Sequence, residues 1–240
     1  MGLLGHALGG EILLRGAGGA AFALHNAETW RWWHYPAWAA IILLGLEIVS
    51  TLVHLVGRAA GAKHIPARGR HLDRLEPLDN AFILFNRLST AVFTYHAIHY
   101  LWRPPGGAHV LWSLSDLDLA TGPGACTALY VVYDFFYTLF HRGLHLRSVY
   151  KYIHKHHHRQ KAPSRGNADA VNVHPFEFLS GEYNHLLALH LVARYVVPVH
   201  VGAAAVFVVM GGFLASLNHT RFDIRVGGLY QVRFNVYYVL

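Results

Sequence analysis

Apolar positions in the chain gather into four long runs, parted by short segments rich in basic or turn-forming residues. Residues 37–57, AWAAIILLGLEIVSTLVHLVG, are nearly unbroken and reach the roughly twenty residues that a bilayer core demands of a helix. Residues 80–102, NAFILFNRLSTAVFTYHAIHYLW, match that length but carry Arg87, His96 and His99. Such groups face a bundle interior or a cavity rather than lipid. A third run, 123–140, follows the breaker TGPG and ends against a histidine-rich stretch. The fourth, 184–218, is too long for one simple span and contains Pro198. It predicts a helical hairpin, or a span preceded by a half-helix, broken at the proline.

The segments between the runs predict orientation. Arg58, Lys63, Arg68, Arg70 and Arg74 lie between the first two runs. Between the second and third, Arg103 is the only basic side chain apart from histidine, and it is accompanied by Asp116 and Asp118. After the third come Arg142, Arg147, Lys151, Lys155, Arg159, Lys161 and Arg165. The excess of Lys and Arg assigns the first and third connections to the cytoplasm and the second to the opposite side. An even number of crossings after residue 174 then returns Arg221, Arg225 and Arg233 to the cytoplasm, so the histidine clusters share one side.

Composition sharpens this picture. Apolar residues make up 54% of the 240 positions and charged residues only 14%, against a usual charged share of about 25%. So little charge could hardly cover a soluble domain of this size. The formal charge of +7 reads as sidedness, and no nucleic-acid recognition motif accompanies it. Cys126 is the only cysteine, so a transition metal would have to be held by imidazole and carboxylate. The opening MGLLGHALGG makes a poor signal peptide, and His6 breaks the myristoylation pattern. No flavin, nicotinamide or GxSxG fingerprint is present.

Six histidines crowd into HRGLHLRSVYKYIHKHHHRQ at 141–160. On a helix, His141 and His145 stand one turn apart, and His154, His157 and His158 fall at i, i+3 and i+4, so each set would share a face. Two sets in helical phase exceed what a pH-responsive surface needs, and the five are read as metal ligands. Asp134, two turns before His141 on the same stripe, is expected to bind or to orient a ligand ring. His156 points off the stripe and is expected to face solvent. His54, His96 and His99, isolated on apolar runs, are read as hydrogen-bonded core histidines.

The run DFFYTLFHRGLHLRSVYKYIHKHHH resembles the signature of the fatty acid hydroxylase/sterol desaturase superfamily. The likeness continues in VHPFEFL at 173–179 and NHTRFD at 218–223, and covers roughly residues 80–234. It implies an all-α fold, a polytopic membrane helical bundle with a histidine-rich cytosolic cap, occupying residues 37–240 after an N-terminal segment 1–36. It further implies a non-haem di-iron centre (zinc being able to occupy isolated protein) and O2-dependent hydroxylation or desaturation of a fatty acyl, sphingoid or sterol lipid. By position His141, His145, His154, His157, His158 and His219 would be ligands. Asp134, His174 and Asp223 would stand behind them, His174 as a ligand neighbour or a cap beside Pro175. A cytochrome b5-type external electron donor is the implied partner, and the endoplasmic reticulum the implied location if the source is eukaryotic. The pattern departs where the family's last HxxHH is due: Asn235, Tyr237 and Tyr238 stand there instead. The expectation is therefore of a C-terminally incomplete domain, with a catalytically impaired truncated form or pseudoenzyme as the alternative.

Overall fold

In the computed structural model, residues 24–64, 74–159, 165–220 and 222–223 are described. Among them the chain is overwhelmingly helical. The long helices are α1 (His34–Ala59), α2 (Pro77–Trp102), α3 (Ala125–Leu144), α6 (Pro175–Tyr195) and α7 (Val201–Asn218); the short α4 (Arg147–Tyr150) and α5 (Asn167–Ala170) lie between α3 and α6. The four predicted runs thus become five long helices. The fourth divides as expected, with Pro198 between the end of α6 and the start of α7, because proline cannot supply the N–H a continuous helix needs. The TGPG breaker is not a loop: residues 120–124 form a π-helical turn that runs directly into α3.

Four two-residue strands complete the elements. β1 (Lys63–His64) pairs antiparallel with β4 (Phe222–Asp223), Lys63 opposite Asp223. β2 (Val110–Leu111) pairs in parallel with β3 (Val199–His200), Val110 opposite Val199.

The chain divides into two compact units, and each long helix contributes to both. Unit 1 comprises 1–40, 91–133 and 183–208. Its interior is mainly apolar and aromatic: Phe93, Leu129, Tyr133, Val192 and Phe207 are buried together with small residues such as Ala125, Ala188 and Ala204. Imidazoles there are paired with phenols. Tyr183 Oη lies 2.6 Å from His96 Nδ1, Tyr35 Oη 3.2 Å from His99 Nε2, and Tyr100 Oη 3.3 Å from His190 Nδ1. His96 and His99 are therefore hydrogen-bonded, as expected of histidines on apolar helices, but neither is a core residue: His96 is exposed and His99 half-buried.

Unit 2 comprises 41–90, 134–182 and 209–240, and its interior differs in kind. Asp79, Asn86, Ser89, Thr90, His154, Asn167, Asp169, Glu177, Ser216 and Thr220 are all buried, alongside a few apolar groups such as Val53, Ile83 and Leu144. Buried polar groups must find partners, and these do so largely between helices and loops. Asn86 Nδ2 donates to the carbonyls of Val171 and Val173 at 2.8 and 2.9 Å. Glu47 accepts from Arg87 Nη2 and, at 3.0 Å, from Asn167 Nδ2, while Ser50 Oγ accepts from the Asn167 N–H at 2.9 Å. Gly166 sits at φ +54°, and a Cβ there would run into Ser50 Oγ. Glycine is what lets this segment close on α1.

Two helices, α1 and α7, are long and apolar enough to cross a membrane. The outward face of α1 is apolar, with Ile41, Leu44, Ile48, Leu52, Leu55 and Val56 all more than half exposed. A continuous apolar stripe of this kind suits hydrocarbon rather than water.

Asn86 is fully buried and donates to two backbone carbonyls that no other side chain serves among the described residues. Asn86→Ala is expected to lower stability by about 2–4 kcal/mol, since each buried acceptor left unpaired costs about 1–3 kcal/mol. Thermal or denaturant unfolding in detergent checks it, and an unchanged midpoint would refute the assignment.

Candidate metal centre

The centre is assembled in unit 2 from the end of α3 onward. His141 lies in the last turn of α3 and His145 just past its end, with the His145 N–H bonded back to the His141 and Arg142 carbonyls. The two rings face each other, Nε2 to Nε2 at 3.3 Å. Leu146 is extended, α4 supplies one turn, and residues 151–156 continue as tight turns into a 3₁₀ turn at His157–Arg159. That fold-back returns His154 to the end of α3, its ring centroid 4.6 Å from both His141 and His145. Ligand atoms of His141, His145 and His154 all lie within 4.8 Å of one another.

His158 joins this group: its Nε2 is 2.8 Å from His154 Nε2. Two ring nitrogens so close need a proton or a cation between them. Ligand nitrogens about 2.0–2.1 Å from one ion, at angles of about 90–109°, stand about 2.9–3.4 Å apart. The 2.8 and 3.3 Å separations are near that range. The all-imidazole donor set suits iron, zinc, copper or nickel. His141 Nδ1 is buried and has no hydrogen-bond partner. The residues present therefore fit a metal.

His157 borders both this group and His219: its ring centroid lies 5.7 Å from His154, 5.6 Å from His158 and 5.6 Å from His219. His219 follows α7 directly, and its Nδ1–H donates to the Ala215 carbonyl at 2.7 Å, leaving Nε2 as the free ligand atom. The Gly166 N–H holds the His219 carbonyl at 3.1 Å. So the predicted histidines form one neighbourhood, in which His157 is as near to His154 and His158 as to His219.

Several expectations need correction. The 151–159 stretch is not one α-helix, so HxxHH does not present a single face. His156 does not face solvent. Its Nε2 lies 3.0 Å from Asp79 Oδ1 and 2.9 Å from Asn172 Oδ1, and its ring packs edge-on against Phe82. Helical phase predicted the opposite because the turns rotate this residue inward. Asp134 is half-buried on α3 but joins no histidine by hydrogen bond or ion pair among the described residues. The acceptor behind the cluster is instead Glu177, whose Oε1 takes the His154 Nδ1–H at 2.9 Å. Sequence reasoning quoted Glu177 within VHPFEFL without giving it a part. Its signal was an acid three residues into a proline-led helix beside a histidine. His174 is a cap: its Nδ1 accepts the Phe176 N–H at 3.2 Å at the start of α6. The Asp223 side chain and residues Asn235, Tyr237 and Tyr238 lie outside what the structure describes.

Burial, and then neighbouring imidazoles, lower the affinity of these rings for protons. His157 is held well below the usual histidine range, first by burial and then by His219 and His154. His145 and His158 are lowered by burial and by His154. His219 is lowered by burial, against its bond to Ala215. At neutral pH the rings of His145, His157, His158 and His219 are thus uncharged and free to bind a cation.

The sign of the pH effect follows. A histidine with a depressed folded pKa stabilises the fold above its unfolded value, near 6.5, and that share is lost as pH falls through the folded value. Protons also compete with metal for the same nitrogens. Protein loaded with Zn²⁺ or Fe²⁺ is expected to keep its metal through dialysis at about pH 7.5 and to lose it by about pH 5. Elemental analysis after dialysis reads this, and retention at the acid end would contradict the histidine assignment.

With this geometry in hand, comparison with known proteins gives one match. The model of the fatty acid hydroxylase family matches residues 126–237, which include His141, His145, His154, His157, His158 and His219. No curated protein and no solved structure matches the chain. The match over residues 126–237 is consistent with the fatty acid hydroxylase/sterol desaturase superfamily.

Proposed function

We propose that this protein is a multi-pass membrane oxidoreductase that hydroxylates or desaturates a lipid with O2, using iron held by its histidines. The observation that carries the reading is the convergence of His141, His145 and His154 within a segment that matches the fatty acid hydroxylase family. His158 joins them through its 2.8 Å approach to His154; His157, equally near His154, His158 and His219, extends the ligand group toward His219. Bound iron supplies activation of dioxygen against an unactivated C–H bond, chemistry that side chains cannot perform themselves.

The chain's own residues bind, orient and shield. Neutral imidazoles present Nε2 lone pairs. The bonds from His154 Nδ1 to Glu177 and from His219 Nδ1 to Ala215 fix two of the rings. Fully buried His154 keeps water from the middle of the set. The apolar surface of α1, together with α7, supports a membrane setting, in which an acyl, sphingoid or sterol chain is already dissolved where it must be held. Electrons come from an external donor of the cytochrome b5 type docking on the basic segment that includes Arg142, Arg147, Lys151, Lys155 and Arg159. In a eukaryotic source the endoplasmic reticulum is the setting.

The test is turnover in nanodiscs carrying fatty acyl, ceramide or sterol lipids, with Fe²⁺ and an electron donor. Wild type is expected to consume O2 in a lipid-dependent way and to yield a product gaining one oxygen or losing two hydrogens, read by mass spectrometry. His154→Ala and His157→Ala are expected to lose metal and to give only background product. Wild type that holds iron but leaves all three lipid classes unchanged would overturn the catalytic reading.

A further inference from the structure

We infer that Glu177 is a positioning residue for metal binding: its carboxylate fixes the tautomer and electron density of His154, and a cation held by the histidines in turn compensates that buried charge. This rests on the metal-centre reading above.

Glu177 is 6% exposed and His154 0%. Oε1 accepts the His154 Nδ1–H at 2.9 Å, whereas Oε2 is buried with no hydrogen-bond partner. No Lys or Arg pairs with Glu177 among the described residues. Glu177 stands in the first turn of α6, where the helix dipole favours an anion, yet no backbone N–H reaches Oε2. A carboxylate removed from water with one hydrogen bond is costly. Something beyond the His154 ring must offset that cost.

The place where an offset can sit is fixed by the imidazole ring. Nδ1 and Nε2 lie on opposite sides of it, so Glu177 cannot ligate an ion that His154 binds through Nε2. It stands behind the ring instead. Accepting the Nδ1 proton leaves the Nε2 lone pair free, and that atom faces His158 Nε2. Negative charge behind a ligand ring raises its basicity toward the ion in front. A cation between His154 and His158 therefore gains from Glu177, and Glu177 gains from the cation. Without a metal, the same carboxylate is a burden on the fold.

That reciprocity predicts opposite signs for two measurements on one variant. Glu177→Gln keeps an oxygen that can accept the Nδ1–H and removes the charge. Full-length protein in detergent, stripped of metal, would be titrated with Co²⁺ as a spectroscopic probe and with Fe²⁺ under anaerobic conditions. Glu177→Gln is expected to bind about 10–100-fold more weakly, while its metal-free Tm stays level or rises. Glu177→Asp, which keeps the charge, is expected to retain more affinity than Gln. Three results would overturn the inference: wild-type Co²⁺ affinity and spectrum in Glu177→Gln; a fall in its metal-free Tm alongside affinity, which marks mere packing; or Gln outperforming Asp. Should Glu177→Gln fail to fold, that counts as the packing outcome. Wild type and His154→Ala separate the two levels. Equal Co²⁺ binding by both, or none by wild type, brings down the metal-centre reading itself. Binding that depends on His154 but not on Glu177 brings down only this inference.

Discussion

A fully buried imidazole has two nitrogens to satisfy and no water to help, and unit 2 is arranged around that constraint at His154. One nitrogen is answered by Glu177 on α6; the other meets His158, with His141 and His145 from the end of α3 alongside. Each neighbour then needs placing of its own. His141 and His145 are placed by helix and backbone bonds, His158 by the short turn that follows His154, and Glu177 by the proline-led start of α6. One divalent cation would reconcile four rings that otherwise compete for protons, which is why their crowding points to metal rather than to a charged surface.

The rest of unit 2 keeps the irregular segments in register. Among the described residues between α3 and α6 there are only one-turn helices and tight turns, with little backbone ladder to stiffen them. Side chains supply the stiffness. Asn86 holds two carbonyls just before α6; Asp79 collects Asn172 and His156; Arg165 binds Asp169 through Nε at 2.8 Å. Each bond is modest alone, about 1 kcal/mol net, but breaking any of them strands a buried group. The polar interior of this unit is thus the consequence of building a ligand-bearing segment from turns. Unit 1, which carries no such segment, fills its interior with aromatic and small apolar residues.

Much of this was legible in the chain. Apolar runs marked the first three long helices within a few residues, because length and hydrophobicity alone select them, whereas the fourth run, read from 184, missed the start of α6 at Pro175; Pro198 marked its break because its ring forbids continuity. Histidine spacing singled out the ligand candidates and the family. Less legible was everything that depends on the turn geometry of 151–159. Helical phase assumes 100° per residue; once Lys151–His156 turns instead, His156 swings inward to Asp79 and HxxHH no longer lines one helical face. Asp134 was chosen over Glu177 for the same reason. Periodicity can see a partner on its own helix, but a carboxylate 23 residues downstream that returns through a loop and a new helix leaves no periodic trace.

That failure has a physical moral for reading such sites. A metal ligand needs an acceptor on its far nitrogen, but the acceptor comes most readily from a different element. A residue on the ligand's own helix, at i−7 like Asp134, lies about 10 Å along the axis and cannot reach around the ring. An acid at the start of a separate helix can approach the ring from behind while that helix's dipole moderates its charge. Glu177 meets both conditions, following Pro175 in the first turn of α6. In a chain with 13 acidic residues among 240, those that are buried beside histidines are few, and each is there against a desolvation cost that only a specific partner offsets. The acids worth attention in such a sequence are therefore the ones at helix starts near a histidine cluster's return segment, rather than those in phase with the histidines themselves.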